Sequence, residues 1–527
     1  MIQKLRLLFN TIKHMRFKQM YYQVYYKVRN RLYHKKYTEP VPQTTSLVWE
    51  TPLLYQNSWQ DHNSFKFLNL EKSFESINWN FAEYGKLWTY NLTYFEFLNQ
   101  KQISKEDGLR LIKDFIEKKD SLKDALEPYP LSLRGINWVK FLSGNNIQDP
   151  EINTCLFNDY QRLTDNLEYH LLGNHLLENG FALLFGAVYF KNENYYQKGV
   201  QIIKDELKEQ ILKDGAHFEL SPMYHQIILH RILDSIQLLR LNAWKQDGLL
   251  VYLIIKAETM LGWLKTISYK NGDIPMVNDA AHGIAPSSKD LFAYGEYLGL
   301  KWTKANLRDS GYRKWGSEYF ECLMDLGNIG PDYIPGHAHA DTFNFELYVK
   351  GQPFIVDVGT STYEKDSKRQ MERSTESHNT VKVGGENSSE VWSGFRVAKR
   401  AKITELTENK NEFTASHNGY KKLGVVHQRS FKFEQQDINI QDNLIGNPVE
   451  ATAYLNFHPS VKNVVLKDRA LQFSEWNLEI NFIGDRIKVE KSTYEWAEGF
   501  NKTMEGTAIK IMFTKELQTS IILKDPL

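Results

Sequence analysis

The segment Gly336-His337-Ala338-His339-Ala340-Asp341 sets two histidines one residue apart, ahead of an alternating Phe343, Phe345 and Leu347. The alternation reads as a strand with one buried face. On such a strand His337, His339 and Asp341 would point the same way as Phe343 and Phe345. Three polar groups in register with a core face mark either a hydrogen-bonded strand end or the wall of a cavity. Asp357 lies in the apolar run 354–360, where a carboxylate is costly unless it is paired or binds a cation. His378 stands just before a further strand-like stretch that includes Val381. Two histidines and an aspartate supplied by separate strands have the chemistry of a divalent-cation site, with zinc the first choice. Buried His–Asp pairing accounts for the same residues equally well.

A second group lies far upstream. Asn174, His175, Glu178 and Phe181 are spaced so that Asn174, Glu178 and Phe181 share one helical face. Asn174 reads most simply as a helix cap. Some forty residues on come Asp214, His217, Glu219, Ser221-Pro222 and Tyr224-His225. Ser-Pro is a helix start with proline at the first helical position. Tyr224 would then sit in a first turn, where terminal amides stabilise negative charge, or be a packed tyrosine with its hydroxyl satisfied. The polar turn from Asn271 to His282, with Asn278-Asp279, has no role assignable from spacing.

The elements that must position these groups divide the chain. At 527 residues it exceeds one ordinary core. The organisation expected is a basic extension and linker over 1–60, a helical domain over 61–315 and an antiparallel β domain over 316–527. Helical patterning runs over 104–118, 151–172, 174–190, 194–212, 221–243 and 248–269, interrupted at Pro128-Tyr129-Pro130. Short connections imply stacked antiparallel hairpins. Beyond residue 330, turn chemistry at 350–353, 384–385, 408–411 and 467–469 separates strand-like runs. Helices followed by strands give an α+β chain of two consecutive domains.

Hydrophobic content of 42% and charged content of 24% are ordinary for globular proteins, and a net charge of +1 gives no global push toward nucleic acid. Aromatics at 13% suit a carbohydrate cleft or a large core alike. Two isolated cysteines argue against a disulfide scaffold or a cysteine zinc site. Residues 1–38 carry ten Lys or Arg and no acid, without the apolar stretch of a secretory signal. That segment either docks on the protein's own body, the reading preferred here, or lies on an anionic membrane. A cytoplasmic or peripheral inner-membrane location is expected.

In the order of Leu87-Trp88, Asn91-Leu92, Asn174-His175, Glu178-Asn179, Glu219, Ser221-Pro222, Tyr224-His225, the His337–Asp341 run, Asp357, Arg373, His378-Asn379 and Phe395-Arg396, the chain resembles the heparinase II/III-like polysaccharide lyases, which include alginate and heparan-type members. The resemblance implies an α/α-toroid followed by an antiparallel β-sandwich, with the active cleft between them. It implies β-elimination on an acidic, uronate-containing polysaccharide. By the same carry-over Asn174 and His175 would face the uronate carboxylate, Tyr224 and His337 would move protons, and His339, Asp357 and His378 would bind a structural zinc. Glu178, Glu219, His225 and Arg373 would be substrate-binding positions. Leu220 departs from the family, which often has a basic residue there. The basic N-terminus resembles that of members tied to bacterial capsule or exopolysaccharide production. Rival readings are a non-catalytic glycan-binding or assembly protein and, last, a glycoside hydrolase using Glu178 and Glu219 as paired carboxylates.

Overall fold

The computed structural model of the protein describes residues 2–524 apart from 34, 51, 54, 246 and 448. Its helices are concentrated before residue 298 and its long strands lie after residue 311. The helical part is built from Pro128–Gly144, Pro150–Asp165, Gly173–Phe190, Glu193–Gln210, Pro222–Leu241 and Leu249–Ile267. Gly173–Phe190 packs along both Pro128–Gly144 and Glu193–Gln210. It is almost wholly buried, which explains why its apolar residues run all round rather than in one stripe. Gly199 permits the close pairing, because a Cβ there would sit 3.1 Å from the Gly180 carbonyl oxygen.

Two sequence expectations change here. Pro128-Tyr129-Pro130 opens a helix instead of interrupting one, since a first-turn N–H has no intrahelical partner to lose. The linker region ends in a small antiparallel sheet, Trp59–Asp61, Ser64–Phe67 and Leu70–Ser73. Its Phe65 and Phe67 join Trp79, Trp88, Phe95, Phe115 and Trp138 in a buried aromatic cluster. Part of the aromatic excess is therefore core.

The C-terminal part contains an eight-stranded and two four-stranded antiparallel sheets. Alternating inward residues such as Phe431, Phe433, Ile438 and Ile440 from the large sheet meet Ile509, Ile511 and Phe345 from the smaller ones in one core. The turns at 350–351, 409–411 and 468–469 connect paired neighbours.

The two parts meet on a polar joint. Tyr269 stacks on Tyr348 with ring centroids 3.6 Å apart. Glu346 takes hydrogen bonds from the Tyr269 hydroxyl at 2.9 Å and the Met276 N–H at 3.1 Å. Asp214 accepts from the N–H and hydroxyl of Ser310 at 2.8 and 2.7 Å. Burial raises Glu346 to about 8, so at neutral pH the joint holds a neutral acid at little electrostatic cost.

Candidate active site

Tyr224 lies in the first turn of Pro222–Leu241, where the Ser221 hydroxyl accepts its N–H. The residue before that cap, Leu220, is held at φ 58°, a left-handed conformation that costs a leucine about 1–3 kcal/mol. Its carbonyl accepts from Tyr312 Oη at 2.6 Å and Asn278 Nδ2 at 3.1 Å, which holds the turn. Thus the start of the Tyr224 helix is moored to segments outside the helix itself.

His337 stacks flat on Tyr224, with centroids 4.0 Å apart and planes 13° apart. Its Nδ1 is 2.6 Å from Glu219 Oε2. Burial raises the Glu219 pKa, but His337, with His217 and His175 adding to it, brings the carboxyl below its usual value. An ionised Glu219 therefore fixes the hydrogen of His337 on Nδ1 and leaves Nε2 to accept a proton. Tyr224 Oη lies 3.0 Å from Tyr363 Oη. Burial, with Tyr363 and Asp279 adding to it, pushes Tyr224 well above 10. Tyr224 is thus a neutral proton donor at rest, and the helix terminus does not make it a phenolate.

Gly173, where a Cβ would sit 3.3 Å from Glu219 Oε1, brings the start of its helix beside that carboxylate; there His175 Nδ1 lies 3.0 Å from Glu168 Oε1 and its ring sits against Tyr129 at 4.7 Å. Burial disfavours its charge, but Glu168, with Glu219 and Glu127 adding to it, raises its pKa overall. The side chain keeps 34% of its surface exposed. Asn174 is buried with its Oδ1 lacking a hydrogen-bond partner. It does not cap the helix, which starts at Gly173 behind Leu172. The site thus combines a neutral acid, an oriented imidazole, a second imidazole whose charged form Glu168 favours, and an unengaged amide. That set can abstract a proton beside a carboxylate and return one to a leaving oxygen.

Two family descriptions match the chain: Heparinase II/III N-terminus over residues 131–294, and Heparinase II/III-like, C-terminal over residues 300–523. The chain belongs to the heparinase II/III-like family. A heparin-sulfate lyase of Pedobacter heparinus is 26% identical over 337 residues, covering 58% of this chain and 49% of that protein. One from Bacteroides stercoris is 24% identical over 315 residues, covering 53% and 45%. The chain spans about half the length of the curated relatives it matches. A crystal structure of heparinase III superposes with a TM-score of 0.65 at 19% identity, over 86% of this chain and 80% of that one. That likeness is one of fold, and it agrees with the α+β architecture of helices followed by antiparallel sheets.

Within this heparinase II/III-like chain several positions differ from expectation. The strand of the His337 segment starts only at Phe345, and Phe343 lies at φ 69°. Residues 336–344 are a loop, so the expected shared parity fails and His337 and His339 part company. His337 keeps 16% of its side chain exposed, whereas His339 is fully buried. His225 is also fully buried, with Nε2 3.1 Å from the Met260 carbonyl and Nδ1 accepting the His217 N–H. It supports the turn and cannot reach a substrate as placed. Glu178 is buried against Arg231 at 2.6 Å, a core ion pair. Arg373 is buried and donates to the carbonyls of Ala338 and Gly394. It holds the peptide between the two histidines. Glu219 is buried with its Oε2 on His337 Nδ1.

The residues missed from sequence are those that hold the others. Asp279 is fully buried and accepts from Arg369 through both Nη atoms and from His339 Nε2 at 2.8 Å. Its N–H donates to the His337 carbonyl at 3.1 Å and its own carbonyl accepts from Ser221 Oγ at 2.9 Å. One residue thereby ties the Tyr224 cap to the His337 loop. Asn278 adds a bond from the His339 N–H to its Oδ1 at 3.0 Å. An acid inside the apolar stretch 274–281 was the available signal. Glu168 left none, and Tyr363 stands only as the end of the run 357–363 that shares in the family resemblance.

The zinc set was expected as His339, Asp357 and His378. His339 and His378 have ring centroids 5.3 Å apart. Asp357 Oδ2 accepts from Asn344 and lies 2.8 Å from His378 Nδ1, while Oδ1 accepts the Gly359 N–H. Among the described residues no group of three or more His, Cys, Asp or Glu is gathered as a ready cage. Yet His339 Nδ1, His378 Nε2 and Asp341 Oδ2 are all buried without a hydrogen-bond partner. Leaving such groups unpaired costs about 1–3 kcal/mol each. Two imidazole nitrogens and a carboxylate oxygen suit a divalent cation, and Asp279 and Asp357 behind the rings are the usual orienting partners of ligating histidines.

Proposed function

We propose that the protein is a polysaccharide lyase that cleaves a uronate-containing polysaccharide by β-elimination. The observation that carries this reading is the flat stack of Tyr224 on a His337 whose Nδ1 is fixed by buried Glu219. A glycan-binding module has no need of that arrangement. In the proposed reaction His337 Nε2 takes the C5 proton of the uronate, and the electron pair moves into the carboxylate, where Asn174 and His175, whose charged form Glu168 favours, meet the developing charge. The pair then forms the C4–C5 double bond as the C4–O bond breaks, and Tyr224 gives its hydroxyl proton to the departing oxygen. Paired-carboxylate hydrolysis is disfavoured because Glu178 and Glu219 are already committed to Arg231 and His337.

On a panel of uronate polysaccharides, turnover should produce the ultraviolet absorbance of an unsaturated uronyl end in step with new reducing ends. Reducing ends without that absorbance would replace elimination by hydrolysis. Glycan affinity without either signal would leave a binding protein.

A zinc ion held by His339 and His378, with Asp341 or Asp357 completing the set, would supply structural rigidity and no step of the reaction. Supporting this is the trio of unpartnered buried atoms. Elemental analysis of purified protein should find about one zinc per chain, lost in His378→Ala; zinc-free wild-type protein removes the site. The cationic N-terminal segment supports a role in handling a nascent bacterial surface polysaccharide, a setting tested by deleting the gene in its host and sizing the capsule or exopolysaccharide.

A further inference from the structure

The first two helices, Ile2–Ile12 and Phe17–Leu32, have a docked face and an open one. On the docked face Gln19 donates to the Leu171 carbonyl at 3.1 Å, Tyr26 donates to the Leu167 carbonyl at 2.7 Å, and Tyr22 packs on Tyr169 at 4.8 Å. In the first helix Arg6 pairs with Glu390 at 2.9 Å and Thr11 Oγ1 accepts from the Trp392 indole at 3.2 Å. The expected docking on the protein's own body is therefore present, and it occupies only half of each helix.

The open face is apolar. Phe17, Tyr21, Val24, Val28 and Leu32 recur at helical spacing and are all exposed, Val24 at 64% and Val28 at 51%. Leu5, Phe9 and Ile12 repeat the pattern on the first helix, with Phe9 at 71%. Among the described residues, eleven of the twenty-four exposed large hydrophobic side chains fall within the first 33 positions. Such crowding on one face marks an interaction surface rather than scattered surface apolarity.

Charge identifies the occupant. Residues 1–38 contain ten Lys or Arg and no acid. Lys27 and Arg31 flank the stripe on the side of Met20 and Val24 and make no ion pair among the described residues. No helix among the described residues is long and apolar enough to cross a membrane. We propose that this face lies in the interface of an anionic phospholipid bilayer, with the stripe at the acyl boundary and the cations among the headgroups. A second copy of the chain would suit the apolar stripe but would bring two uncompensated cationic faces together. An acidic glycan would suit the cations but leave Val24, Val28 and Leu32 without a partner. The inference does not depend on the lyase reading, since membrane binding is measured without turnover.

The test is co-sedimentation of the full chain with vesicles of phosphatidylcholine alone and of phosphatidylcholine mixed with phosphatidylglycerol. Wild-type protein should pellet with the mixed vesicles, more weakly at high salt, and little with phosphatidylcholine. Val24→Glu/Val28→Glu should lower that affinity about tenfold or more. Its thermal melt should be unchanged because both side chains face solvent. Val24→Ser/Val28→Ser gives the same loss without added charge. Wild type remaining in the supernatant, either double variant binding like wild type, or a wild-type dimer that the variants convert to monomer overturns the proposal. Wild-type binding to an acidic polysaccharide that the variants abolish, with no vesicle binding, also overturns it.

Discussion

Tyr224→Phe should lower kcat by about 10²–10⁴-fold while leaving the affinity for an intact uronate polysaccharide close to wild type. The substitution removes one oxygen that faces Tyr363 and leaves the ring that stacks on His337. Loss of the Tyr363 hydrogen bond costs about 1 kcal/mol of stability, so the variant should fold. Because the Tyr224 pKa is raised by burial first and then by Tyr363 and Asp279, the hydroxyl is protonated across the physiological range. A tyrosine acting as acid should therefore give no alkaline rise in kcat of the kind that formation of a phenolate base would produce. Steady-state kinetics across pH, with binding measured separately by calorimetry, checks both statements. Wild-type turnover in the variant removes Tyr224 from the mechanism, and a rate that climbs toward its pKa returns it to the role of base.

Asp279→Ala should destabilise the protein by about 3–5 kcal/mol, the usual result of stripping the partner from a buried charge. Arg369 would be left buried and unpaired, and His339 would lose the acceptor of its Nε2 hydrogen. Burial alone would raise the Asp279 pKa, but Arg369 and then His339 pull it far below the ordinary carboxyl value. The sign follows from linkage. A folded pKa below the unfolded one means that the unfolded chain binds the extra proton in acid. The contribution is therefore present above the unfolded value of about 3.9 and is lost as pH falls below it. Thermal melts should show Asp279→Ala far below wild type at neutral pH, with the gap narrowing in acid. Asp279→Asn, which preserves shape but not charge, should fall between them. Equal melting temperatures would remove Asp279 as the anchor of the site.

How much of this was legible in the sequence depends on whether the signal was local. Ser104 before Lys105–Glu117 and Ser221 before Pro222–Leu241 cap their helices as their types suggest, because capping is settled within four residues. The division into helices and then antiparallel strands follows from periodicity in the same way. Pro128-Tyr129-Pro130 was misread because proline marks the start of a helix as readily as a break. The alternation does not extend from Leu347 back to His337 because residues 336–344 turn twice, at 336–337 and at the left-handed Phe343, before the strand begins at Phe345. Tyr224, His337, Asn174 and His175 could be singled out by type and spacing. Whether Glu178, His225 and Arg373 face a substrate or the core could not, since their types are the same in either place. Glu168, Asp279, Arg369 and Tyr363 act across the fold, and distances along the chain carry no trace of those contacts.

The joint at Tyr269, Glu346 and Asp214 has a consequence for how such a protein can be inherited. The candidate acid comes from the helical part and the candidate base from the loop that leads into the strands, and Asp279 ties the two. Neither part encoded alone would hold a working pair. Recombination between related genes would therefore conserve activity only where both sides of this joint travel together. Chimaeras with breakpoints between residues 279 and 337 would have to match Asp279 from one parent with His337, His339 and Arg369 from the other. Exposed edge strands such as Val465–Lys467, at the outer end of the eight-stranded sheet, carry none of those contacts. Divergence in this family should accordingly run fastest at the outer sheets and slowest along the seam.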